Sequence, residues 1–155
     1  MLENTTFDEL EINQGATVER TLTKEDIQAF ALVTGDINPA HVDEQFAQTD
    51  IFREVIGHGM WGGALISMVL GTHLPGPGTI YLSQDLKFLK PIKLGDTITT
   101  KLTVVDKISK HRHVIFECEC INQLGELVTE GHARVIAPNQ KNKTRRNPFA
   151  QIKAD

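Results

Sequence analysis

Asp36 and His41 stand five positions apart in the run Thr34-Gly35-Asp36-Ile37-Asn38-Pro39-Ala40-His41. A carboxylate and an imidazole are suited to hold a water molecule and move its protons near neutral pH. Gly35 and Pro39 disfavour a continuous helix between them, and the residue before a proline is pushed out of the helical region, so Asn38-Pro39 predicts a tight turn. Two readings fit this pattern. One is an Asx-turn carrying a surface histidine. The other is an acid–base pair in which the carboxylate orients the imidazole or shares a water with it. The second gains weight because the loop directly precedes elements expected to be buried, where a carboxylate needs a partner.

A second candidate is Gly59 in Gly57-His58-Gly59-Met60, at the start of an apolar segment. Helix N-termini present unpaired N–H groups and partial positive charge, so the Gly59 N–H could polarise a carbonyl, as in an oxyanion hole. An ordinary glycine N-cap is the competing reading. His58 fits either a second acid–base group or a cap and packing residue. Ser67 carries a hydroxyl on an otherwise apolar helix and needs a partner, either its own backbone or Asp36. Lys87, Lys90 and Lys93 flank Pro91; they suit an anionic ligand or a solvated strand edge. Gly76-Pro77-Gly78 lacks the spacing of a phosphate-binding loop.

These residues must be positioned by a coherent set of elements. The pattern predicts a strand over 17–22, then a helix opened by Thr23 with Asp26 in the capping-box position and closed by Gly35. A short helix is expected over 43–48 and a loop over 51–57. Residues 59–72 contain no charge across more than three turns, which predicts a helix buried on all sides, with Gly62, Gly63 and Ala64 allowing another backbone close approach. After Pro75-Gly76-Pro77-Gly78 the period changes to strands: 79–89, 97–108, 113–121 and 127–135. Their inward sets are expected to be Ile98, Leu102, Val104 and Ile108, then Val114, Phe116, Cys118 and Cys120, then Leu127, Thr129, Ala133 and Val135. Residues 122–125 form the hairpin loop. The economical architecture is α+β, an antiparallel sheet wrapped around one buried helix. Residues 1–137 then form one domain, and 138–155 a polar, basic linker or tail.

With 155 residues the chain can bury a real core, and a net charge of −4 argues against nucleic acid as a main partner. No signal-peptide pattern is visible at the start, and the apolar segment is too short to span a bilayer. Cys118 and Cys120 on one strand would be roughly 6.6 Å apart, near the upper limit for a disulfide, so they are expected to be reduced core thiols. A CxC metal site would need further ligands, and none is evident. A cytoplasmic protein without metal or membrane partner is expected.

The ordered motifs also resemble a known family, the MaoC-like, (R)-specific enoyl-CoA hydratases. The resemblance rests on residues 34–41, on Gly57-His58-Gly59-Met60 with the apolar helix, on 74–82, and on Phe88-Leu89-Lys90-Pro91-Ile92-Lys93-Leu94-Gly95-Asp96. It spans about residues 8 to 137. It implies the hot-dog fold and addition of water to a trans-2-enoyl thioester of CoA or acyl carrier protein, giving the (3R)-hydroxyacyl product. It implies further that Asp36 and His41 activate the water and that the Gly59 N–H binds the thioester carbonyl. Asn38 and Ser67 would line the substrate site, Ser67 matching a serine that supports the aspartate in some members. Ala40 departs from the Leu, Ile or Val common there. No cofactor is implied beyond the thioester substrate, and a homodimer or higher oligomer is implied. Met60-Trp61-Gly62-Gly63-Ala64-Leu65-Ile66-Ser67 and Gly76-Pro77-Gly78-Thr79 most resemble the hydratase domain of bifunctional enoyl-CoA hydratase/phosphate acetyltransferases, so a fused transferase in a longer parent chain is an accompanying expectation. Two rival readings fit the same chain: a hot-dog acyl-CoA thioesterase, and a non-catalytic acyl-thioester-binding subunit.

Overall fold

The structure, a computed structural model, describes residues 1–144. Strand β1 (Leu2–Glu3) and β2 (Gly15–Thr21) precede three helices, α1 (Lys24–Thr34), α2 (Pro39–Val42) and α3 (Glu44–Thr49). The long helix α4 (Gly59–Thr72) follows. Then come β3 (Ile80–Gln84), β4 (Lys87–Phe88), β5 (Thr97–Ile108), a 3-10 turn at Lys110–Arg112, β6 (His113–Ile121), β7 (Leu127–Ile136) and β8 (Lys143–Thr144). The main sheet runs β2-β5-β6-β7-β3, with β4 also on β7, and every pairing is antiparallel. Its concave face closes on α4: Trp61, Leu65, Ile66, Val69 and Leu70 pack into one cluster with Ile98, Leu102, Val104, Val114, Phe116, Cys118, Cys120 and Val135. This is the α+β hot-dog arrangement. No described helix is long and apolar enough to cross a membrane.

Local chemistry fixes the element that leads into the site. Thr23 Oγ1 accepts from the Asp26 N–H and Asp26 Oδ2 accepts from the Thr23 N–H, each at 3.1 Å, which closes the capping box at the start of α1. Gly35 ends that helix with φ of 76°, and its N–H reaches the Ala31 carbonyl at 2.8 Å. The chain is thereby released directly into Asp36.

Several expectations need correction. Helix α4 is not buried on all sides: Met60, Ala64, Ser67 and Gly71, spaced by four, three and four, form an exposed stripe. A helix without charges can leave one face to a cavity, and this one does. Nor do Gly62 and Gly63 admit a second backbone. A side chain at Gly62 would meet Ile92, Thr129 and Cys120, and one at Gly63 would meet Leu86 and Met60. The strand expected over 79–89 is broken into β3 and β4 around Asp85, whose carbonyl lies so close over Gly131 of β7 that any side chain there would clash. The break turns Leu86 against the core. At the start of β7 a register shift beside Cys120 and Ile121 puts Val128 inside, leaving Leu127 half-buried. A bulge after Val104 likewise leaves Ile108 half-buried. Cys118 and Cys120 are free and fully buried.

Residues 138–144, expected to begin a linker, are tied to the N-terminus. The Pro138 carbonyl accepts from the Phe7 N–H at 2.8 Å, Asn4 Oδ1 accepts from the Asn142 N–H at 2.9 Å, and β8 pairs with β1. Lys141 bridges to Glu3 and Glu9, and Lys143 to Glu3. The remainder of the expected tail, 145–155, lies outside the described residues.

Candidate active site

The Asp36 loop is built almost entirely from local bonds. The Asp36 N–H donates to Thr34 Oγ1, and Asp36 Oδ1 accepts from the Asn38 N–H, both at 3.2 Å. Asn38 caps the next turn, its Oδ1 accepting from the Ala40 N–H at 3.1 Å. Pro39 occupies the first turn of α2, where its missing N–H costs nothing. His41 therefore sits on a one-turn helix, while Asp36 lies in the non-helical stretch before it. Gly35 and Pro39 announce the break in the sequence; the single helical turn after it they do not.

His41 Nδ1 is 2.7 Å from the Ile56 carbonyl. A carbonyl only accepts, so Nδ1 carries a proton, and in the neutral ring Nε2 presents a lone pair. Asp36 remains half-exposed, its side chain retaining 51% of its accessibility. Between them lies His58, which is 3% exposed. Its Nε2 donates to the Asp36 backbone carbonyl at 2.9 Å and lies 3.9 Å from Asp36 Oδ2. Its ring stands 4.0 Å from the ring of His41 and 5.0 Å from that of Phe30. Polar atoms of Asp36, His41 and His58 all lie within 4.8 Å of one another.

His58 is the residue before α4, yet its side chain forms no cap. The next residue is Gly59, whose N–H has no hydrogen-bond partner among the described residues. That N–H opens the helix and carries its positive end. A side chain at Gly59 would come within 3.1 Å of the Phe88 ring.

Gly59 and Phe88 line two adjoining spaces. The larger, about 850 Å³, is walled by Phe30, Asp36, Ser67, Tyr81, Leu86 and neighbouring residues. The smaller, about 300 Å³, is lined by His41, Phe52, Ile56, Lys90 and others. Asp36 thus faces one space and His41 the other, and they meet at Gly59. Tyr81 is partly exposed at the β3 edge, but desolvation against the cavity wall pushes its phenol up to about 12, and it donates to Gln84. Ser67 lines the larger space on the exposed stripe of α4 and makes no hydrogen bond with a described side chain or backbone group; it does not reach Asp36. Lys87, Lys90 and Lys93 each face a carboxylate, of Glu130, Glu126 and Glu54.

Of the five residues expected at the site, Asp36, His41 and Gly59 converge, Ser67 shares the larger cavity, and Asn38 shapes the turn. Residue type and spacing undervalue His58, although its place directly before the apolar helix is an available signal. They do not find the Ile56 carbonyl or Phe88, whose roles depend on contacts between distant segments.

The chain matches the MaoC like domain family over residues 8–120. It is 43% identical over 132 residues to the (R)-specific enoyl-CoA hydratase of Rhodospirillum rubrum, covering 85% of this chain and 91% of that protein. It is 38% identical over 136 residues to the 3-hydroxybutyryl-CoA dehydratase of Methylorubrum extorquens, covering 87% of this chain and 85% of that one. Among solved structures, the unliganded R-hydratase PhaJ1 from Pseudomonas aeruginosa matches with a TM-score of 0.92 at 41% identity, over 99% of each chain. A family match over most of the chain, with relatives more than a third identical along most of their own lengths, makes this chain a member of the MaoC-like family.

Proposed function

We propose that this chain, a lyase, hydrates trans-2-enoyl thioesters to (3R)-3-hydroxyacyl thioesters and runs the reverse dehydration, with Asp36 and His41 as its acid–base pair. The observation that carries this reading is one convergence. Asp36, His41 and His58 gather within 4.8 Å at the start of α4, beside an unpartnered Gly59 N–H and an apolar cavity of about 850 Å³.

The chemistry follows from those groups. The thioester carbonyl accepts from the Gly59 N–H, which stabilises the enolate charge that develops as C3 is attacked. His41 Nε2 and the Asp36 carboxylate hold a water between them. One accepts its proton as the oxygen bonds to C3, and a proton returns to C2, so one water is added and no electrons leave. Such a reaction needs proton transfer and charge stabilisation, which these residues supply, and no redox cofactor. The apolar cavity receives the acyl chain. CoA and acyl carrier protein both present their acyl groups as thioesters, and either fits this scheme.

The assembly we propose is a homodimer. The outer edge of β3 has no partner strand among the described residues, while Ile80, Tyr81 and Leu82 on it are exposed. Two free, buried thiols suit a reducing, cytoplasmic setting.

The test is hydration of crotonyl-CoA, followed by loss of enoyl absorbance with chiral analysis of the product. Asp36→Ala and His41→Ala are each expected to lower kcat by at least about 10²-fold while the circular dichroism spectrum is unchanged. Near-wild-type turnover by either variant would refute the pair. Release of free thiol from a saturated acyl-CoA would indicate a thioesterase instead.

A further inference from the structure

His58 touches every part of the proposed machinery, and nothing in the water-addition scheme requires it to exchange a proton. The Asp36 loop is otherwise held by bonds within its own neighbourhood: the Ile37 N–H to the Gly35 carbonyl at 3.1 Å, the Asp36 N–H to Thr34, and the Asn38 N–H to Asp36. Among the hydrogen bonds of residues 35–38, the one to a distant segment is the bond from His58 Nε2 to the Asp36 carbonyl at 2.9 Å. On its other side the His58 ring lies 4.0 Å from that of His41, whose Nδ1 is already fixed by Ile56. Along the chain His58 is bonded directly to Gly59.

The histidine also carries a cost. His58 Nδ1 is buried and has no hydrogen-bond partner among the described residues. A buried polar atom left unpaired disfavours the folded state. A residue retained for stability alone would better be apolar here, since it packs against Phe30 and is 3% exposed. Cost at one nitrogen and a specific bond at the other are the signature of a side chain kept for placement.

We propose that His58 is a positioning residue: through its Nε2–H bond to the Asp36 carbonyl and its stacking on His41 it holds the carboxylate, the imidazole and the Gly59 N–H in one reactive geometry. Small displacements of such groups lower rates steeply, whereas the acyl cavity, walled mainly by other residues, keeps its affinity.

This inference rests on the Asp36/His41 reading, so the experiment first establishes that wild type hydrates crotonyl-CoA and that Asp36→Ala does not; failure there ends the reading itself. His58→Phe keeps the packing and removes the donor. His58→Gln restores a donor near the position of Nε2. His58→Phe is expected to lower kcat by roughly 10- to 100-fold with KM within about threefold, and its Tm is expected to be no lower than wild type. His58→Gln is expected to recover most of kcat and to keep the wild-type shape of the pH–rate profile. Wild-type kcat in a folded His58→Phe variant would overturn the proposal. So would a His58→Gln variant as slow as His58→Phe with a limb missing from its pH profile, since His58 would then exchange protons itself. If His58→Phe does not fold, His58→Gln decides alone: recovered kcat supports positioning and lost kcat refutes it.

Discussion

At the scale of the residue, the sharpest question concerns one N–H. Gly59 is the first residue of α4, and His58 before it has φ of −61° and ψ of 132°, an extended conformation that a following proline accepts. Proline is favoured at the first helical position, so Gly59→Pro removes the N–H at little cost to the helix. Gly59→Ala keeps the N–H and places a similar Cβ against Phe88, 3.1 Å away. If that N–H binds the thioester carbonyl, Gly59→Pro loses roughly 10²- to 10³-fold in kcat, and Gly59→Ala loses much less. Equal losses in stopped assays of the two would assign the effect to Phe88 instead. Asp36, His41 and Gly59 are legible in the sequence because their types and spacing are chemically constrained. His58 does not rank with them there, since its meaning depends on burial and on a bond to a carbonyl, neither of which residue type encodes.

At the scale of the element, the helices are written plainly. The capping box of Thr23 and Asp26 and the left-handed Gly35 fix both ends of α1, and so where Asp36 begins. Thr23→Ala should cost about 1 kcal/mol in chemical denaturation, with kcat little changed. No loss of stability would mean that the side-chain cap is dispensable. The strands β5 and β6 are likewise legible from alternation, and Cys118 and Cys120 lie inside as expected. Burial pushes their thiols up to about 12 and about 11, from an ordinary value near 9. The folded state therefore keeps protons that the unfolded chain releases. The resulting stability is complete below about pH 9 and is lost as pH rises toward 11 and 12. Both thiols should be inert to Ellman's reagent in native protein at pH 8 and react fully in denaturant; rapid native labelling would contradict their burial. The break between β3 and β4 is not legible, because it lies where the Asp85 carbonyl packs so closely over Gly131 that no side chain would fit there, a proximity that only pairing creates.

At the scale of the whole molecule, the apolar edge strand and the exposed stripe of α4 lie on the same cavity: Met60, Ala64 and Ser67 line it together with Tyr81 and Gln84 of β3. A second copy paired along β3 would cover this edge and help to enclose the site. We expect light scattering to give twice the 17.2 kDa of one chain. Leu82→Lys, which puts a charge on that edge, should shift the protein toward monomer and lower its turnover. A monomeric, fully active wild type would refute this assembly. The joined termini belong to this scale too. Lys141 and Lys143 read as part of a solvated basic tail, since a charge run carries no signal of its partner, and Glu3 and Glu9 are remote in sequence.

The sequence by itself determined the fold class, the bounds of α1 and α4, the inward face of β6 and of β5 as far as Val104, and the break in the helix that separates Asp36 from His41. Each of these follows from local propensity, periodicity or motif, which neighbouring residues carry. Only the tertiary structure decided which face of α4 opens to a cavity, where the edge strand breaks, that the segment after Pro138 returns to the N-terminus, and that His58 lies against Asp36 and His41. Those features are set by packing and hydrogen bonds between segments far apart in the chain, and such contacts leave no periodic trace in either partner.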